Sequence, residues 1–327
     1  MRAVQITEPG GPEVLRVTEM PDPVPGPGEV LIDVVAAGLN RADVQQRRGF
    51  YPPPPGASDI PGLEVSGRIA GFGPDVSRPF AVGEKVVALL SGGGYASKVV
   101  VPAGQVIRIP EGVDLVTAAG LPEVAATVYS NLYMTAGLQE GETVLIHGAT
   151  GGIGAFAIQL AKALGAVVAT TAGSAEKVAT ARGFLGADIA IDYTTQSFPE
   201  ALREANGGHG ADVILDVVGA KYLSANLDAL EVHGRLVVIG LQGGARGELD
   251  LGVLLSKRAA VIGTTLRARP VEEKTAIMDA VRDVVWPLIA DGSVRPLVAR
   301  TFPLAEVAEA HRYFDSGQHT GKILLTM

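Results

Sequence analysis

The stretch that most constrains this chain is residues 143–171, TVLIHGATGGIGAFAIQLAKALGAVVATT. An apolar run enters a glycine-rich turn, an apolar helical pattern follows, and a second apolar run closes the unit. The turn reads Gly148-Ala149-Thr150-Gly151-Gly152-Ile153-Gly154. It is the dinucleotide fingerprint with alanine at the first glycine position, Ala149-x-Gly151-x-x-Gly154. Gly151 lets the backbone approach a pyrophosphate, and Gly154 lets the helix pack closely on the strand. The helix N-terminus adds free N–H groups and partial positive charge for phosphate. The strand–turn–helix–strand context makes this a nucleotide site rather than only a tight turn.

The end of the next strand selects the nucleotide. NAD sites place an acid there, about 20 residues on, to bind the ribose 2′-hydroxyl. Here the sequence is Thr171-Ala172-Gly173-Ser174-Ala175-Glu176-Lys177, and Gly173 lies 19 residues beyond Gly154. Gly173 and Ser174 offer a small hydrogen-bonding seat, and Lys177 one turn later supplies positive charge. That suits a 2′-phosphate, so NADPH is expected over NADH. Ser174 also reads as a helix cap.

Around this unit the texture divides the chain. Short apolar strands separated by Gly/Pro turns fill the first third, at 2–6, 13–19, 28–37, 64–73, 84–91 and 97–101, and suggest a barrel or sandwich. Tyr51-Pro52-Pro53-Pro54-Pro55-Gly56 is a stiff extended loop, best read as the wall of a pocket. Residues 115–136 read as an Ala-rich helix ending at Gly137. Strands at 167–171, 189–191, 213–217, 234–239 and 261–264 then alternate with helices at 153–164, 175–185, 197–205 and 221–230, the pattern of a helix-covered parallel sheet. The tail mixes a helix at 271–290, a strand at 297–302, a helix at 304–316 and a strand at 323–326.

Composition removes whole classes of chemistry. The chain has no cysteine, so disulfides, thiolate nucleophiles and Cys-held zinc or iron–sulfur sites are excluded. None of the five histidines pairs with another at metal-ligand spacing on a helix, and His147 reads as a satisfied core or turn residue. A net charge of −8 argues against nucleic-acid binding driven by bulk charge. No stretch approaches the roughly 20 apolar residues of a membrane span, and the start lacks an apolar signal core. A cytoplasmic protein is expected.

Motifs along the whole chain resemble the medium-chain dehydrogenase/reductase superfamily, in particular its zinc-independent quinone oxidoreductases. They include Gly10-Gly11-Pro12-Glu13-Val14-Leu15, Gly38-Leu39-Asn40-Arg41-Ala42-Asp43, Pro61-Gly62-Leu63-Glu64-Val65-Ser66-Gly67 and Gly321-Lys322-Ile323. The polyproline loop and Ala172-Gly173-Ser174 are similar to the stress-inducible branch related to zeta-crystallin. Some members of that branch carry serine where this chain has Gly151, so a hydroxyl role there falls to Thr150 or to none.

The resemblance implies an α/β fold. Residues 1–120 and 265–327 would form a GroES-like β-barrel catalytic domain, residues 121–264 a Rossmann doubly wound parallel sheet domain, and the active site would lie in the cleft between them. Zinc relatives hold the metal at positions matching Asn40, Leu63 and, approximately, Glu123, which cannot make a tight zinc site. No metal is therefore expected, and the acceptor must take hydride without a Lewis acid, as quinones and α,β-unsaturated carbonyls do. Asn40 and Tyr51 are the candidate catalytic residues, as donors to the developing oxyanion or, for Asn40, as an orienting contact for the cofactor.

Implied cofactor contacts are Asn40, Thr127, Thr150, Gly151, Gly152, Ile153, Gly173, Ser174, Lys177, Tyr193, Ile239, Gly240, Leu241, Thr265, Leu266, Arg267 and Lys322. Tyr193 would stack near the adenine, Arg267 would help with phosphate, and Lys322 would close the pocket. The leading expectation is an NADPH-dependent quinone reductase. A 2-alkenal or enoyl reductase and a non-catalytic nucleotide- or RNA-binding protein stay open as alternatives. A homodimer joined at sheet edges is implied, with the apolar stretch 259–264 as an edge strand.

Overall fold

Alternation of apolar and polar residues with Gly/Pro breaks dictates short strands at the start of the chain. The structure is a computed structural model that describes all 327 residues. Strand β1 (Arg2–Ile6) pairs antiparallel with β2 (Leu15–Glu19). Residues 13 and 14, expected to open that second strand, instead fall in a 3-10 turn (Pro12–Val14) led by Pro12, whose ring fixes φ and removes a ladder donor. The long strand β3 (Glu29–Leu39) alternates buried and more exposed positions and becomes wholly buried at its end. A short helix α1 (Arg41–Arg47) follows at once.

Three of the next four strands, β4 (Glu64–Phe72), β5 (Lys85–Leu89) and β7 (Val106–Arg108), extend the sheet, and β6 (Lys98–Pro102) pairs back on β3. The helix expected over 115–136 is divided. Asp114 caps α2 (Leu115–Ala118), α3 (Pro122–Tyr129) restarts at a proline, and a π-helical turn (Ser130–Thr135) ends it. Proline suits a first helical position but interrupts a helix interior. Gly137 takes the left-handed conformation expected of it, with φ +63°.

The second texture is a six-stranded, all-parallel sheet. Its strands are β8 (Thr143–His147), β9 (Val167–Ala172), β10 (Ile189–Asp192), β11 (Ala211–Asp216), β12 (Leu230–Val238) and β13 (Ala260–Gly263). Helices α4 (Gly152–Ala163), α5 (Ala175–Gly183), α6 (Phe198–Ala205), α7 (Leu223–Ala229) and α8 (Leu251–Lys257) connect them. The spatial order is β10-β9-β8-β11-β12-β13, so the winding direction reverses between β8 and β11. In such sheets ligands bind outside the carboxyl ends of the strands at that reversal. Every residue of β8 is buried, as expected of a strand covered on both faces.

The tail returns to the first sheet. A continuous helical run, α9 (Val271–Ala280), a π-helical turn (Val281–Val285) and α10 (Trp286–Ala290), leads to β14 (Val298–Pro303), α11 (Val307–Asp315) and β15 (Lys322–Thr326). β15 pairs antiparallel with β3, completing a seven-stranded sheet. The chain therefore forms two compact units. One comprises Met1–Ala126, Leu266–Gly292 and Pro296–Met327, and the other comprises Thr127–Thr265 with Ser293–Arg295. Each has its own core. Ile32, Leu39, Val65, Phe302 and Leu325 anchor the first, and Leu145, Ile191, Ile214 and Leu236 anchor the second. No helix is long and apolar enough to cross a membrane.

Candidate active site

In the parallel-sheet unit the expected contact residues gather at one edge of the sheet. The turn 148–151 leaves β8, Gly173 and Ser174 leave β9, and residues 239–241 leave β12, all at carboxyl ends. Gly148 needs φ +83°, which favours glycine. A Cβ on Gly154 would stand 2.0 Å from the Gly148 carbonyl oxygen, so only glycine lets α4 start this close to the strand. A Cβ on Gly151 would meet nothing nearer than 3.8 Å. Gly151 is thus not required by the protein's own packing; its missing side chain leaves an open cradle at a helix N-terminus. That geometry fits a pyrophosphate. Thr150 is buried beside it, and Gly152 and Ile153 form the first turn of α4.

At the end of β9, Ser174 caps α5 by accepting from the Lys177 N–H at 3.3 Å. A Cβ on Gly173 would stand 2.5 Å from the Tyr193 hydroxyl, so the glycine makes room for that ring. Tyr193 is 46% exposed, with its edge toward Tyr222 at 6.3 Å between centroids. Gly240 packs against the Val217 backbone, while Leu241 is exposed. The Thr127 carbonyl accepts from the Asn131 side chain at 2.7 Å. Thr265 ends this unit, and the buried Leu266 begins the return to the other. His147 is fully satisfied, with Nδ1 on Thr171 Oγ1 at 2.9 Å and Nε2 on Asn226 Oδ1 at 2.7 Å. Burial pushes its pKa down to about 4.

The other unit holds a cluster of side chains. Asn40 follows β3 and caps α1, Glu64 begins β4, Glu123 lies in the first turn of α3 and Lys322 begins β15. Lys322 Nζ donates to Glu64 Oε1 at 2.6 Å, to Asn40 Oδ1 at 2.5 Å and to the Leu39 carbonyl at 3.2 Å. Asn40 Nδ2 donates to Glu64 Oε1 at 2.9 Å, and the Glu123 N–H donates to Glu64 Oε2 at 2.9 Å. Asp43 accepts from the Asn40 N–H, the Gly62 N–H and the Tyr95 hydroxyl. Glu64, fully buried, is tolerated because cation, amide and backbone donors all reach it, whereas Asp43 has two backbone donors and a phenol.

Two of the expected cofactor contacts have protein partners here. The Lys322 ammonium directs its three hydrogens into the cluster, to Glu64, Asn40 and the Leu39 carbonyl. Arg267 is also turned inward. Its guanidinium donates to the Ser91 carbonyl at 2.8 Å, the Tyr51 carbonyl at 3.2 Å and Gln46 Oε1 at 2.7 Å. Asn40 is likewise engaged on both amide atoms, and it is buried at 9% exposure.

The positions matching the zinc ligands do not fit a metal. Leu63 has no donor atom, and the ammonium of Lys322 sits on the amide oxygen of Asn40.

Two acids missed as functional candidates stand out by their electrostatics. Burial pushes the Glu123 carboxyl up to about 8, aided by the negative charge of Glu64 and opposed by Lys322. Glu123 is therefore a neutral acid, able to donate a hydrogen bond, at pH 7. Burial raises Asp43 to about 6 against the pull of its backbone donors. No local signal marks either: an acid in the first turn of a helix is ordinary. Tyr51 is half-buried; desolvation and Glu123 push its phenol up, and Arg267 pulls it down.

Comparison with known proteins joins the two halves. A family model for the alcohol dehydrogenase GroES-like domain matches residues 26–111, and one described as zinc-binding dehydrogenase matches residues 185–325. A quinone oxidoreductase of Pseudomonas aeruginosa is 33% identical, with 99% of each chain covered. A 2-haloacrylate reductase of a Burkholderia species is 34% identical, covering 99% of this chain and 98% of its own. The crystal structure of Escherichia coli quinone oxidoreductase complexed with NADPH matches with a TM-score of 0.88 at 30% identity, covering all of both chains. With the GroES-like match, the parallel sheet reversing at β8 and similarity over the full length, the chain belongs to the quinone oxidoreductases of the medium-chain dehydrogenase/reductase superfamily and is an oxidoreductase.

Proposed function

We propose that this protein is an NADPH-dependent reductase that passes hydride to small quinones without zinc. The observation that carries this reading is the nucleotide edge of the parallel sheet. An open cradle at Gly151 stands with a β9 end that carries Ser174 and Lys177 in place of an acid. When bound, NADPH supplies a hydride, which is two electrons and one proton. A quinone that accepts it needs one further proton to become a hydroquinone.

The chain's own residues divide that work. Thr150, Gly151, Gly152 and Ile153 receive the pyrophosphate, and Gly173, Ser174 and Lys177 receive the 2′-phosphate, with Tyr193 beside the adenine. Thr127, residues 239–241 and Thr265 and Leu266 supply the remaining contacts. Tyr51 donates to the developing oxyanion. Asn40, held by Glu64 and Lys322, orients the site. Glu123, neutral at pH 7, keeps a second carboxylate charge away from the acceptor.

The similarity to a 2-haloacrylate reductase favours a second reading, reduction of α,β-unsaturated carbonyls with the same cofactor. We also propose a homodimer joined through β13, an edge strand whose Ala260, Val261 and Gly263 are exposed. Light scattering that gives a monomer would remove this proposal.

The test is oxidation of NADPH and NADH with panels of quinones, 2-alkenals and 2-haloacrylates, before and after chelation. Fastest NADPH turnover with quinones, unchanged by chelator, is expected. Preference for the unsaturated acids or enals selects the second reading. Tighter NADH binding, or loss of activity restored by zinc, overturns the proposal. Tight NADPH binding without turnover makes the protein a non-catalytic binder.

A further inference from the structure

Four consecutive prolines, Pro52–Pro55, follow Tyr51. Proline has no N–H, so this loop cannot be held by its own backbone donors and must be held through its carbonyls and side chains. Its internal bonds are few: Phe50 N–H to the Gln45 carbonyl at 2.9 Å and Ala57 N–H to the Pro54 carbonyl at 3.0 Å.

The external donor is Arg267, more than 200 residues away in sequence. It reaches the Tyr51 carbonyl, Gln46 Oε1 and the Ser91 carbonyl with one fork, and its guanidinium carbon lies 5.3 Å from the centroid of the Tyr51 ring. The residue is locked in turn. Its carbonyl accepts from Ser91 Oγ at 3.0 Å, and Lys274 Nζ donates to that hydroxyl at 2.6 Å. Arg267 is only 4% exposed, and these three acceptors are neutral. Burial lowers the Arg267 pKa; the charges of Asp43, Tyr51 and Glu123 offset that only in part, and the fork itself is spent on neutral oxygens.

We propose that Arg267 is a positioning residue. It fixes the carbonyl and ring of Tyr51 at the head of the polyproline loop, and it acts on turnover through Tyr51 rather than through a cofactor phosphate. The inference rests on the reading of Tyr51 as the oxyanion donor. The charged groups that act on the Tyr51 phenol are Glu123 and Arg267; Asp43 acts on Arg267, and Lys274 Nζ lies 3.4 Å from the Arg267 carbonyl.

The test uses Arg267→Met, Arg267→Lys, Tyr51→Phe and the double variant Tyr51→Phe/Arg267→Met. It reads quinone kcat and KM, the NADPH Kd by fluorescence, and the phenol titration of Tyr51 in resting enzyme, taken as the difference from Tyr51→Phe. Arg267→Met should lower kcat/KM by about 10-fold or more, as misplacement of a reacting group does. Its NADPH Kd should stay within about twofold, and its effect should nearly vanish on the Tyr51→Phe background. The Tyr51 phenol should titrate at higher pH once the cation is gone. Arg267→Lys keeps the charge without the fork and should lose part of the turnover.

A large rise in NADPH Kd with kcat preserved would make Arg267 a phosphate ligand and overturn the proposal. A lower melting temperature with unchanged kinetics and phenol titration would reduce it to a structural tie and also overturn it. A shifted phenol titration with wild-type turnover in Tyr51→Phe would sink the reading of Tyr51 while leaving its positioning by Arg267 supported. If Arg267→Met does not fold, Arg267→Lys and its double variant with Tyr51→Phe carry the same kinetic cycle.

Discussion

The glycine turn after β8 and the acid cluster around Glu64 are built in opposite ways. The turn is made of backbone. Its seven residues are contiguous, and its shape depends on the missing side chains of Gly148 and Gly154, with open space at Gly151. The cluster is made of side chains from positions 40, 43, 64, 123 and 322, brought together by three strands and two helices. A site made of absent atoms fails when an atom is added. A site made of mutually satisfied charges fails when one is removed.

The largest effect is expected from unpairing the cluster. Lys322→Met leaves Glu64 buried without its cation, which should cost about 3–5 kcal/mol of stability, read by urea denaturation. Adding Glu64→Gln should recover much of that loss; no recovery would mean that Lys322 matters for something other than this pair. The next effect is on the turn. Gly154→Val drives a side chain into the Gly148 carbonyl, and overpacking of this kind costs about 1–3 kcal/mol. Gly151→Ala should leave the melting temperature unchanged, because its Cβ meets no protein atom nearer than 3.8 Å, and on the proposed function it should weaken NADPH binding. Equal destabilisation by the two variants would erase the distinction between fold glycine and ligand glycine.

Ser174→Asp tests the end of β9. Aspartate caps a helix as well as serine, so the fold should hold. Its charge should repel a 2′-phosphate and lower the NADPH-over-NADH preference by about 10-fold, where a like-charge contact costs at least 1.4 kcal/mol. An unchanged ratio of dissociation constants would remove Ser174 from the phosphate site.

A further effect is a pH slope. Glu123 has its carboxyl raised to about 8, so the folded state holds a proton that the unfolded chain releases near pH 4.5. The folded state then binds more protons between those values, and stability falls as pH rises through that window. Asp43, raised to about 6, has the same sign below that pH. Glu123→Gln should therefore flatten the decline in melting temperature between pH 6 and pH 8. A parallel decline in the variant would mean that Glu123 is already ionised in the folded state.

The same contrast explains what could be read from the sequence. The turn was legible because glycine spacing over seven residues is local, and strand patterns on both sides give it context. Asn40 and Tyr51 were within reach only through resemblance. The partners of Lys322 and Arg267 were not legible, because nothing near residues 267 or 322 says that they reach Tyr51, Gln46, Glu64 and Asn40. Helix α1 was missed because its buried face carries Asp43, Gln46 and Arg47, so apolar periodicity cannot reveal it. The break in the helix at 119–121 was signalled by Pro122, but the alanines on both sides masked it.

The central claim is a division of labour, in which the backbone turn holds the cofactor and Tyr51 serves the acceptor. It is tested most directly by measuring NADPH Kd and quinone kcat together in Gly151→Ala and Tyr51→Phe. The account predicts weaker NADPH binding with kcat retained at saturating cofactor in the first, and unchanged NADPH binding with reduced kcat in the second. Wild-type kcat in Tyr51→Phe, or a loss of NADPH affinity there equal to that of Gly151→Ala, would contradict it.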